Sequence, residues 1–187
     1  GDSLSTSGPM LGGNTCSVTD KAYLHSDALI EGSLTLQQTF SNNGSAIVHG
    51  YCSVNDRVMS NSSISVVGSG YFGSAFFNSG DLASGGSLTI ADSAFLASTV
   101  SINSDLHVAG THTVENNGIF NGCLSVAGYL HIGSQCSTTA GMVASNSVSL
   151  GENLHVSGST ICKNDITCGS GMSATGFVRF GESISIQ

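Results

Sequence analysis

The feature that most constrains this chain is an unbroken six-residue rhythm. From Leu4 to Ile186 the sequence divides into 31 hexads whose first and third positions are apolar in 51 of 62 cases, against about 25 expected from a 40% hydrophobic content. Alternation of apolar and polar residues over three positions is the signature of a short strand with one buried face. The pairs Leu34/Leu36, Ile64/Val66, Leu106/Val108 and Val178/Phe180 illustrate it, and no insertion disturbs the phase. The fifth position is Gly, Asn, Asp or Ser in 26 of 30 hexads. A chain that turns every six residues needs residues there that tolerate positive φ or bond their own backbone. Strand and turn signals therefore agree on one register, which predicts a single all-β repeat domain over 1–187, a β-helix or β-solenoid.

A second period overlies the first. The middle residue of each strand points away from the core. In alternate hexads beginning at Leu4 it is Ser or Thr in 13 of 16 cases; in the intervening hexads it is Ser or Thr in 2 of 15. There it is bulky: Tyr23, Ile47, Met59, Tyr71, Phe95, Ile119 and Val143, with His107, His131 and His155 in equivalent places. The hexads thus pair into twelve-residue repeats. Three hexads per turn, as in hexapeptide-repeat acyltransferases, would mix small and bulky residues on one face. A twelve-residue alternation instead favours coils with an even number of faces, or several chains intertwined or packed as a trimer. On that reading the bulky residues form one exposed apolar stripe, which marks an interaction surface, and the expected partner is the chain itself, as a homotrimer or an end-to-end polymer. The repeat also reaches both ends without a distinct cap, although solenoid ends expose unpaired strand edges.

Composition narrows the function. Four Lys and Arg against twelve Asp and Glu, in a chain with 9% charged residues, exclude nucleic-acid binding by phosphate neutralisation. No apolar run of about 18 residues predicts a membrane span. No basic segment followed by an apolar one opens the sequence, so no signal peptide is expected in it.

Stretches such as Ser101-Ile102-Asn103-Ser104-Asp105-Leu106-His107-Val108-Ala109-Gly110 and Leu150-Gly151-Glu152-Asn153-Leu154-His155-Val156-Ser157-Gly158 resemble repeats in phage and virus tail-fibre shafts. The resemblance rests on repeat texture over most of the chain. It implies a trimeric, charge-poor β-structured shaft on a virion or extracellular appendage, with host receptor or glycan binding in a separate tip domain.

Other constellations carry less. Gly1-Asp2-Ser3-Leu4 spells the nucleophile block of GDSL hydrolases, but no strand precedes it and no Asp-x-x-His follows to activate the serine; no enzyme and no cofactor are expected. Three copies of His107, and likewise of His131 and His155, would meet on a trimer axis and hold a metal or anion, although an interfacial polar side chain is the plainer reading. His112 takes an inward position and marks an irregularity in the core. Five of the six cysteines occupy inward positions, where a thiol behaves as a small apolar group. Buried free thiols are expected, and Cys162 with Cys168 is the pair best placed for a disulfide. Asn43 and Asn61 open glycosylation sequons, which matter only in a eukaryotic secretory setting. The reading that unites these features is a structural fibre or filament protein. An adhesive or glycan-binding β-helix is the alternative, and an ice-binding solenoid, from the Ser/Thr ladder, is third. Replacing Ile102 or Val126 by Asp is expected to abolish cooperative thermal unfolding, whereas Ser101→Asn is expected to leave it intact; equal loss from both would refute the assignment of faces.

Overall fold

The computed structural model describes residues 3–187. Among them are 31 strands of three residues, from β1 (Leu4–Thr6), β2 (Met10–Gly12) and β3 (Cys16–Val18) to β31 (Ile184–Ile186), each beginning six residues after the last. They form three parallel sheets of eleven, ten and ten strands, in which every third strand along the chain is a neighbour. The sheets that contain β1, β2 and β3 are called faces I, II and III. Leu34 pairs with Cys52, Thr35 with Ser53 and Leu36 with Val54, a shift of three hexads that recurs throughout. The molecule is a three-sided parallel β-solenoid of about ten coils, rising about 4.8 Å per coil.

The coil therefore holds three hexads, which corrects the expectation of an even-sided coil. What closes a coil is three corners and a shared interior, and both follow the six-residue period. Outward side chains take no part in closure, so their twelve-residue alternation does not set the coil size. One chain also supplies all three walls and the whole core, so intertwined chains are not needed to build it.

The interior is a stack of apolar rungs. Leu36, Val54, Val58, Ile90, Ile102, Val126 and Ile132 are 0–1% exposed. Most buried polar residues, Asn42, Ser60, Asn78, Ser84 and Thr138, occupy the third hexad position, and several bond the corner that follows. The Ser60 hydroxyl donates to Ser62 O at 2.9 Å, and the Asn78 amide donates to Gly80 O at 2.8 Å. Asn42 makes the same bond to Gly44 O. Such local bonding lets a buried amide or hydroxyl escape the full cost of lost hydration.

The corners work differently from expectation. No residue among those described has positive φ. Glycine is needed because the corner backbone lies directly on the coil below: a Cβ on Gly32 would sit 2.5 Å from the Asn14 carbonyl carbon. The corner between faces II and III carries glycine at 32, 50, 68, 86, 122, 158 and 176, all separated by whole coils. Acidic residues serve the other corners by tying successive coils together: Asp27 accepts from Ser45 N at 2.8 Å, Asp81 from Thr99 N at 3.2 Å and Asp165 from Ser183 N at 3.0 Å. Gly32→Ala is expected to cost about 1–3 kcal/mol by overpacking, whereas Gly8→Ala, which meets no atom within 4 Å, should change stability by less than about 0.5 kcal/mol. Chemical denaturation checks this, and equal effects would refute the close-packed corner.

Candidate functional site

The only large surfaces with a regular chemistry among the described residues are the three outward faces. Because each coil contains an odd number of hexads, the small and bulky hexads exchange places on every face from one coil to the next. Ser41, Ile47 and Ser53 form the outward rungs of one coil on faces I, II and III; Met59, Ser65 and Tyr71 form those of the next. Face II is thus bulky where faces I and III are small, and the reverse one coil later.

This distributes the expected interface residues over the whole rod. Tyr23, Met59 and Phe95 lie on face I, Ile47 and Ile119 on face II, and Tyr71 and Val143 on face III. Each is about two-fifths exposed, between 39% and 45%. The single bulky stripe inferred from the sequence does not exist, because strands pair three hexads apart and not two. The same register breaks the hydroxyl ladder. Hydroxyl rungs mostly recur on every second coil, about 9.6 Å apart, with their bulky neighbours standing above them. Ser41, Ser53, Ser65, Ser101, Ser125 and Ser137 are correspondingly only half-exposed.

The three equivalent histidines separate as well. The four-hexad step between them is one coil and one further face, so His107 lies on face III, His131 on face I and His155 on face II. The structure does not bring them together, and among the described residues no group of three or more His, Cys, Asp or Glu is placed to hold a metal ion. Cys162 and Cys168 are buried free thiols on consecutive strands, Thr160–Cys162 and Ile166–Cys168. Burial pushes the Cys52 thiol up to about 12, and burial with the nearby Cys168 does the same for Cys136. Of the GDSL block, Gly1 and Asp2 lie outside the described residues. Ser3 is exposed, and its hydroxyl donates to Asp20 at 2.7 Å.

Among the described residues, charge is confined to the corners with one exception. Arg179 is the only charged residue within a strand among those described. Besides a depression at Ile161, Lys163, Arg179 and Phe180, two shallow depressions interrupt the faces. One, on face II, is lined by Pro9, Met10, Leu11, Leu29 and Ile47; the other, on face III, by Tyr51, Ser53, Ser69, Tyr71, Ser87 and Thr89. The sequence reading missed both, and the signal was available: Leu29 is one of the few bulky residues in the Ser/Thr series, so Leu11, Leu29 and Ile47 follow one another at three-hexad steps.

No protein-family model, no curated protein and no solved structure matches the chain.

Inside the rod, His112 is wholly buried between Ala94 and Leu130, and neither ring nitrogen has a hydrogen-bond partner. Its ring edge meets Phe120 at 6.2 Å between centroids. Burial lowers its pKa from 6.5 to about 4. Above pH 6.5 the imidazole is neutral in both states and its contribution is fully present. As the pH falls from 6.5 toward 4 the unfolded chain takes the proton first, which drains up to about 3 kcal/mol of stability. His112→Leu removes the two unpartnered nitrogens and is expected to raise stability and flatten the acid limb in urea titrations run from pH 7 to pH 4; an unchanged acid limb would exclude His112 as its source.

Proposed function

We propose that this chain is a mechanical element: a stiff, non-enzymatic β-solenoid rod that forms a fibre or filament by associating with copies of itself, outside the cell or on a virion surface, without a cofactor. The observation that carries this reading is the absence of interruption. Among the described residues, every hexad yields a strand, no loop projects from any corner, and the three faces carry no charge until Arg179. Loops are where solenoids place catalytic and recognition groups, whereas uncharged faces with regularly spaced bulky groups suit packing against a like surface. Continuous main-chain pairing such as Leu34 N to Tyr51 O at 2.9 Å ties each coil to the next over the whole length.

A second reading has one observation in its favour. The depression on face III sets Tyr51 and Tyr71 among the hydroxyls of Ser53, Ser69, Ser87 and Thr89, and an aromatic platform with hydroxyl partners is the chemistry of a sugar-binding surface. Sedimentation and negative-stain microscopy separate the two. The rod reading expects stiff particles about 50 Å long per chain, with native mass a multiple of 18.9 kDa. A monomer at all concentrations that binds immobilised glycans, and loses that binding with Tyr71→Ala, would overturn it in favour of adhesion.

A further inference from the structure

Resting on the reading of a self-associating rod, we infer that face I of one copy docks on face II of a second copy, with the two rods parallel and equal-numbered coils opposite one another. The argument begins with the phase difference between the faces. Over the middle of the rod, face I presents three consecutive bulky rungs, Met59, Phe77 and Phe95, each about two-fifths exposed. On the same three coils face II presents Ser65, Ala83 and Ser101.

The coil at Phe77 decides the choice of faces. The twelve-residue alternation calls for a small residue at 77 and a bulky one at 83, and both are reversed: Phe77 is bulky and Ala83 is small. The two departures cancel, so the match between faces I and II survives where the alternation itself fails. Face III shows no such compensation, since its rung on that coil is Thr89. Beyond this segment the match continues, Ser41 opposing Ile47 on one side and Thr113 opposing Ile119 on the other, over seven coils from Ser41 to His155; it stops where Tyr23 meets Leu29 and where Thr167 meets Ser173.

The second copy is the occupant for three reasons. Bulky rungs recur at multiples of about 4.8 Å, a spacing that only another stack of parallel strands reproduces along the whole rod. Neither face carries a charged side chain, so two chains of net charge −8 meet without like charges in contact. The seven matched coils, about 34 Å long and roughly 17 Å wide, offer about 600 Å² per partner, at the lower end of standard stable interfaces. Register is specified too: a slip of one coil sets Phe95 against Ile119 and His131 against His155. Because face I meets face II, the contact is heterologous, so a pair always leaves one of each face free and assembly proceeds to a closed ring or an open array.

The test exchanges a knob and its slot in the full chain. Phe77→Ser and Ala83→Phe are each expected to weaken association at least tenfold in sedimentation equilibrium, and the double variant to restore it, because its face I is small where its face II is bulky. Thermal unfolding by circular dichroism confirms that each variant keeps the fold. Plain apolar adhesion makes the opposite forecast for Ala83→Phe, which adds an exposed ring and should tighten association. Association of Ala83→Phe equal to or stronger than that of the native chain, or failure of the double variant to recover, overturns the docking. A native chain that stays monomeric but rod-shaped overturns the docking and the self-association beneath it, whereas a particle that is not a stiff rod overturns the mechanical reading itself.

Discussion

Everything in this molecule depends on the pairing of each strand with the strand three hexads away. That pairing satisfies the main chain of every coil and places like positions over like positions. It turns a one-dimensional pattern into columns: an apolar column becomes the core, a glycine column becomes a corner, a mixed column becomes a face. Three-residue strands are too short to stand alone, so each coil is stable only because its neighbours supply both its hydrogen bonds and the floor and ceiling of its interior.

The six-residue unit was fully legible. Positions such as Leu106, Val108, Leu124 and Val126 announce a buried face by alternation alone, and all four are buried. The number of hexads per coil does not follow from the outward alternation of Ser53 with Met59 and Ser65 with Tyr71. That alternation is a property of strands, and closure is blind to it. A better guide lay in the corners. Gly32, Gly50, Gly68 and Gly86 recur at three-hexad steps, where one backbone presses on the next closely enough to crowd a Cβ. The turn chemistry was likewise right in composition and wrong in cause: small residues are selected by contact between coils, with no need for a left-handed backbone.

The candidate site was legible residue by residue and illegible as a surface. Tyr23, Ile47, Tyr71 and the others do point outward and are exposed, yet which of them share a face follows from the coil size alone. The histidines show this most plainly. Their equal spacing suggested a common axis, and one extra face per step scatters them around the rod. Inward irregularities fared better, since His112 stood out as a polar residue at a core position and proves to be an unsatisfied one. Asn42, Ser60 and Asn78 also interrupt the apolar series, and each donates a hydrogen bond to the corner beside it, while Oδ1 of Asn42 and of Asn78 has no partner.

The mismatch between a two-hexad sequence unit and a three-hexad coil also bears on how such a chain can change length. Adding or removing one sequence unit keeps the alternation of small and bulky strands but turns everything downstream by two-thirds of a circle. A change of one coil preserves the faces and inverts the alternation beyond the junction. Only six hexads, two full coils, leave both intact. A lineage of rods held to a fixed surface pattern should therefore lengthen and shorten by pairs of coils, so that its members differ in reach by quanta of about 10 Å.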